Sequence, residues 1–124
     1  MGDSKIQAFT DLYAWQEAHT LVMLIYRYTG NFPGTEMFGL TSQMRRAAIS
    51  ITSNIAEGFG RYTYKERVRF YYLAQGSLTE LKSQIIEADA LGYLAGDHCR
   101  ALIKQSDLAH KFLQGLIKKS KILA

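Results

Sequence analysis

Few residues in this chain have the type and spacing that chemistry needs. Metal centres inside helical bundles use Glu-x-x-His pairs, because residues three apart share one helix face. Three residues after Glu17, Glu36, Glu57, Glu66, Glu80 and Glu87 stand Thr20, Gly39, Gly60, Arg69, Ser83 and Ala90. None is histidine, so a carboxylate-bridged oxidase site is not encoded. His19, His98 and His110 are scattered. His98 adjoins Cys99, but adjacent helical positions diverge by about 100° and cannot readily share one ion. The expectation is no metal and no cofactor.

Cys99 is the single cysteine and has no resolving partner. An early place in a helix could lower its thiol pKa, whereas a place on an apolar stripe makes it a small packing residue. Gly58-Phe59-Gly60 resembles the opening of a dinucleotide fingerprint, but Thr63 stands where the third glycine belongs and no strand precedes it. The two glycines read as a helix stop and a turn. Glu80, Glu87 and Asp89 share a helix without being driven into an apolar pocket, so they read as solvated carboxylates. With no catalytic constellation, the chain reads as a non-enzyme.

Cations are the better candidates. Arg61, Lys65 and Arg69 are spaced four apart and line up on one face if helicity reaches Arg61. Such a row can track a phosphate backbone, with Tyr62 and Tyr64 placed to stack on bases. Arg45 and Arg46 are expected to extend that surface across a helix corner. The competing account is a solvated face, with Glu57 and Arg61 as an ordinary i, i+4 pair. Lys118, Lys119 and Lys121 form a second basic group, read as a frayed helix end whose charges oppose the helix dipole.

Positioning these residues falls to helices. Leu12, Trp15, Ala18, Val22, Ile25 and Thr29 recur at helical spacing and mark a first helix over 11–28, which Thr10 can cap. Gly30, Asn31, Pro33 and Gly34 end it. Leu40, Met44, Ala47, Ala48, Ile51, Ile55 and Phe59 mark a second over 40–59, with Arg45, Arg46, Ser50, Asn54 and Glu57 off the stripe. Thr63-Tyr64-Lys65-Glu66 has the form of a capping box and opens a third over 63–91, where Gly92 suits a left-handed cap. Leu78, Leu81, Ile85 and Ala88 carry its second half. A fourth over 97–118 holds Cys99, Leu102, Ser106, Ala109, Leu113 and Leu116. Met23, Met37 and Met44 read as core filler or loop packing. No stretch alternates at period two. Short connections make consecutive helices antiparallel, giving an all-α, up-down-up-down four-helix bundle as a single domain over 1–124.

Phe70, Tyr71, Tyr72, Leu73 and Ala74 are consecutive, so their side chains point all round the third helix. One bundle core covers only part of that circumference. The excess predicts a homo-oligomer interface built on Phe70, Tyr71 and Tyr72, unless Ile6 and Phe9 fold back over it.

The chain's 124 residues and net charge of +4 suit one domain with an anionic partner. Cysteine usage fits a reducing cytoplasm. The start, MGDSKIQ, lacks a signal-peptide core, and Gly2 fails the myristoylation pattern because Ile6 stands where Ser or Thr is needed. No apolar run approaches the roughly 20 residues of a membrane span.

Several blocks together carry a resemblance. They are Asp11-Leu12-x-x-Trp15 with Ala18-His19, Phe32-Pro33, Gly39 through Ala48, Ser53 through Gly58, Gly76-Ser77-Leu78-x-Glu80-Leu81 and Leu91 through Leu94. The chain resembles the four-helix bundle proteins encoded in intervening sequences of bacterial large-subunit ribosomal RNA genes. Thr52 departs from a proline common in that family, which leaves the helix straighter. The resemblance implies a cytosolic, ring-like homo-oligomer, a pentamer, without established enzymatic activity. It also implies kinship with basic accessory bundles of diversity-generating retroelements, which bind nucleic acid and a reverse transcriptase. Arg45, Arg46, Asn54, Glu57 and Gly58 match its most characteristic block, and that block serves either ligand binding or subunit contacts. Two functions follow from the chain: binding of RNA or DNA through Arg45, Arg46, Arg61, Lys65 and Arg69, or a scaffold whose basic residues and whose Asn54 and Glu57 serve protein contacts.

Overall fold

The computed structural model describes residues 6–124; the opening residues 1–5, Gly2 among them, lie outside the described residues. Four helices account for the architecture: α1 (Tyr13–Thr29), α2 (Leu40–Phe59), α3 (Tyr64–Ala90) and α4 (Gly96–Leu123). Single 3-10 turns at Phe9–Asp11 and Gly34–Glu36 precede α1 and α2. No strand occurs among the described residues. Side-chain partners fix the directions. Arg46 meets Glu80 and Ser50 meets Ser77 across α2 and α3, so those helices are antiparallel. Tyr13 faces Phe112 while Tyr28 stacks on His98, which makes α1 and α4 antiparallel too. Each helix packs on two neighbours, and the result is the up-down-up-down bundle.

The stripes meet at the centre. Leu21, Ile25, Met44, Ile51, Ile55, Leu78, Leu81, Ile85 and Leu102 are all inaccessible to solvent or nearly so. Burying each such side chain contributes about 1.5–3 kcal/mol. Their spacing makes the helices, and their burial makes the bundle. The methionines divide: Met44 is core, but Met23 and Met37 are exposed.

Helix starts differ from expectation. Thr10 does not cap α1. Asp11 instead closes the preceding turn, its Oδ2 accepting from the backbone N–H groups of Gln7 (2.9 Å) and Ala8 (3.1 Å). Those bonds hold the Asp11 carboxyl below its ordinary pKa. Helix α2 begins on a carboxylate: Glu36 Oε1 accepts from Leu40 N–H at 3.0 Å, and Tyr93 donates its hydroxyl to Oε2 at 2.9 Å. Glu36 is thereby held below its ordinary pKa, first by the backbone bond and then by Tyr93. A Cβ on Gly39 would fall 2.6 Å from that carboxylate, so Gly39 makes room for the cap. At α3 the Thr63 side chain accepts from Glu66 N–H at 3.2 Å, which is the threonine half of the expected capping box; the Glu66 carboxylate makes no return bond to Thr63. Gly92 takes φ +79°, the left-handed cap expected there.

Two glycine and lysine expectations change. Gly58 lies inside α2 and is buried; a Cβ there would stand 2.7 Å from Tyr71 Cε1 and 3.0 Å from Phe70 Cβ. Helix α3 packs too close there to leave room for a side chain, and only Gly60 lies past the helix end. The α4 C-terminus does not fray at Lys118. It runs to Leu123, with Ile117 and Ser120 buried on its inner face.

Candidate nucleic-acid interface

The α2–α3 corner carries the cations that sequence singled out. Helicity begins at Tyr64, so Arg61 is not in the helical row. Lys65 and Arg69 are one turn apart on α3 and exposed, with no carboxylate partner among the described residues. Phe70 gathers the group instead. The Arg61 guanidinium lies 4.4 Å from its ring centroid and that of Arg69 6.0 Å. Guanidinium groups favour the electron-rich face of such a ring. Arg61 also approaches Glu57 at 4.0 Å, an exposed pair worth little. Tyr62 is 94% exposed beside them.

Arg67 supports the corner. Its Nε donates to the Arg61 carbonyl at 2.9 Å, and its guanidinium lies 4.7 Å from the Tyr64 ring centroid. It thus holds the turn that presents Arg61. Sequence reasoning passed over Arg67 because it falls outside the four-residue spacing.

The α4 C-terminus arrives at the same end of the bundle. Lys121 donates to the Tyr72 hydroxyl at 3.3 Å. Lys118, Lys119 and Lys121 therefore join Arg61, Lys65, Arg67 and Arg69 at one pole, where Asp11, Glu57 and Glu66 are the carboxylate side chains among the described residues. The second basic group is part of the first.

Arg45 and Arg46 are not. At about 1.5 Å per residue, Arg45 is about 21 Å along α2 from Phe59, so it does not extend the corner. Both arginines are also engaged. Arg45 Nε donates to Thr29 Oγ1 at 3.0 Å, and its guanidinium lies 4.7 Å from the Tyr26 ring centroid. It closes the C-terminal end of α1, where a cation opposes the dipole. Arg46 pairs with Glu80, and its Nε donates to Gln43 Oε1 at 3.0 Å. Glu80 also accepts from Gln84 at 3.1 Å, so it is a paired residue and not a merely solvated carboxylate.

The aromatic run is corrected at Tyr71. That residue is 1% exposed and sits in its own chain's core, so it cannot face a second subunit. Its burial pushes the hydroxyl pKa up to about 12, against a smaller lowering by Arg67. Ile6 packs near it, as the fold-back alternative expects, while Phe9 lies against Trp15. Tyr72 and Leu73 stay about half exposed. Phe70 is occupied by arginines. Asn54 donates to the Ser50 carbonyl at 2.9 Å, a bond within α2.

The remaining titratable groups are accounted for by packing. His98 stacks on Tyr28 with centroids 4.0 Å apart, and His19 on Trp15 at 5.0 Å. The Cys99 thiol is pushed up, first by burial and then by the Asp89 charge, so its helical position does not activate it. No three His, Cys, Asp or Glu side chains converge as a metal site among the described residues. No described helix is long and apolar enough to cross a membrane.

The geometry defines an all-α antiparallel bundle with a cation-rich pole. Residues 10–115 match the family model described as 23S rRNA-intervening sequence protein. The chain belongs to that family. Among solved structures it is similar to a protein of unknown function from the S23 ribosomal protein family of Bacteroides thetaiotaomicron. The two are 18% identical, with a TM-score of 0.75, over 85% of this chain and 98% of that one. At that identity the likeness speaks for the fold. No curated protein matches the chain.

Proposed function

We propose that this bundle is a non-enzymatic cytoplasmic protein that binds RNA through phosphate contacts at its basic pole. One observation carries the reading: Lys65 and Arg69 are exposed, adjacent on α3 and free of carboxylate partners, with Arg61 brought beside them over Phe70. Cations held by aromatic rings keep their hydrogen-bond donors available for an anion. Arg45 and Arg46 are left out, because both are tied to acceptors of their own bundle and lie away from this pole.

Phosphate contacts release counterions, so three of them weaken binding roughly 20- to 40-fold when salt rises fourfold. Fluorescence anisotropy with a labelled RNA across a salt series tests this. Affinity that is flat with salt removes the mechanism. Charge reversal at Lys65 and Arg69 should abolish retention while leaving the fold intact.

A second reading, assembly of several copies, is favoured by a different surface from the one sequence suggested. Phe38 is 95% exposed, and Met37, Tyr26 and Ile49 are exposed around one groove beside it. Contiguous apolar exposure of this kind marks contact sites. A homo-oligomer closed through this α1–α2 face would leave the basic pole open. Light scattering on nuclease-treated protein decides it: Phe38→Ser should lower the mass if this face joins subunits, and a wild-type monomer would discard the reading.

A further inference from the structure

The groove between α3 and α4 at the basic pole lies beside the phosphate-binding candidates. It is a cleft of about 510 Å³ lined by Tyr72 and Gln75 from α3 and by Gln114, Lys118 and Lys121 from α4. That volume lies within the roughly 300–1,000 Å³ of small-ligand clefts. The lining follows from helical register. Tyr72 and Gln75 are three apart, and Gln114, Lys118 and Lys121 are spaced four and three, so each set presents one face. Buried Ile117 forms the floor, and Ile122, 75% exposed, forms an apolar wall.

The chemistry of the lining is mixed in a particular way. Tyr72 is 45% exposed and offers a ring face. The Gln75 and Gln114 amides have no hydrogen-bond partner among the described residues, so two sets of donors and acceptors stand open over one groove. Each amide can donate and accept together, which matches the edge of a nucleobase. Lys118 and Lys121 add charge at the rim. Lys121 Nζ donates to the Tyr72 hydroxyl at 3.3 Å and lies 5.8 Å from that ring's centroid, contacts that a phosphate and a stacked base can replace.

We propose that this groove holds an unpaired nucleotide of the bound RNA, its base stacked on Tyr72 and read by Gln75 and Gln114, its phosphate on Lys118 and Lys121. The proposal rests on the RNA-binding reading and sharpens it to a single-stranded segment. A base inside a duplex has both its faces and its pairing edge occupied. Double-stranded RNA also hides its base edges in a deep, narrow major groove. Such a groove therefore selects unpaired RNA.

The test is anisotropy with a labelled, unstructured 12-nucleotide RNA and with the same strand annealed to its complement. Wild-type protein should bind the single strand more tightly. Tyr72→Ala should weaken single-strand binding by roughly tenfold, since stacking on one aromatic ring commonly contributes that much, and should leave duplex binding unchanged. Tyr72→Phe should retain single-strand affinity. Gln75→Leu with Gln114→Leu keeps the shape and removes the edge contacts, so it should weaken the single strand alone. A thermal melt of each variant checks that the bundle is intact. Equal wild-type affinity for the two forms, or variants that weaken both forms alike or neither, overturns the base site while the salt-sensitive phosphate reading stands. Failure of wild type to bind either RNA overturns both.

Discussion

The two ends of the bundle use the same residue types for opposite purposes. At the pole formed by the α1–α2 connection, carboxylates Glu36, Glu80, Glu87, Asp89 and Asp97 interleave with Arg27, Arg45, Arg46 and Arg100. There Arg45 and Arg46 are bonded to named acceptors, and Glu36 caps a helix while receiving the Tyr93 hydroxyl. At the other pole, Arg61 and Arg69 rest on the Phe70 ring, Lys65 has no carboxylate partner, and carboxylates are few among the described residues. An arginine is structural where an acceptor takes its hydrogen bond, as for Arg45, Arg46 and Arg67, and available where its main contact is an aromatic ring, as for Arg61 and Arg69. Residue type alone does not decide this.

Substitutions can break or sharpen that contrast. The largest stability loss is expected at Gly58→Ala, which forces a Cβ against Tyr71 at the crossing beneath the basic pole. Overpacking of this kind costs about 1–3 kcal/mol, measurable by urea unfolding. Alkaline titration should show a loss of related size. Tyr71 resists ionisation up to about 12, against 10.0 when unrestrained, so the unfolded chain loses its proton first. Stability from this group is full below pH 10 and declines by about 2–3 kcal/mol by pH 12. Tyr71→Phe should remove that decline.

Arg45→Met should cost about 1 kcal/mol, because Thr29 and the α1 carboxyl end lose their cation, with RNA affinity unchanged. The converse result is expected from Lys65→Glu with Arg69→Glu: unchanged melting and lost RNA retention. If the two sets exchanged phenotypes, the distinction between the poles would be wrong. The smallest effect belongs to Arg46→Gln. Its pair with Glu80 is half-exposed, so a double-mutant cycle should give about 0–1 kcal/mol.

A gentler pH effect sits on the α3–α4 seam. His110 Nδ1 lies 3.0 Å from Lys82 Nζ, and its Nε2 is buried without a partner. Burial first, and the Lys82 charge second, lower its pKa below the ordinary 6.5, with Asp107 opposing. The unfolded chain therefore takes up this proton first as pH falls. Stability is unaffected above 6.5 and declines below it until the folded protein also protonates. His110→Gln should flatten that acid limb in a melting series.

The fold was legible because its helices are written in three- and four-residue repeats. The predicted bounds of α2 and α3 fall within one residue of the observed ones. Tyr71 was legible as well: the Leu78–Leu81–Ile85–Ala88 stripe continues backwards through Ala74 to Tyr71 at the same spacing, but the unbroken run of large side chains masked it. The α4 end was misjudged because Ser120 and the lysines look solvated, whereas Ile117 and Ser120 face inward. Nothing local announces the Glu36–Tyr93 bond across 57 positions or the Arg45–Thr29 bond across 16. Such pairs are made by helices arriving side by side, and so the separation of structural from available arginines was not readable in advance. The α4 lysines were visible, but only the antiparallel return of α4 brings Lys121 to Tyr72 and so to the pole that holds Lys65.

That alternation of helix direction has an electrical consequence. Each end of the bundle receives two amino and two carboxyl helix termini, so the backbone macrodipoles oppose one another in pairs and nearly cancel along the long axis. The potential at either end is then set by ionised side chains. Related sequences can invert, erase or relocate that potential by surface substitutions alone, without disturbing the scaffold beneath it.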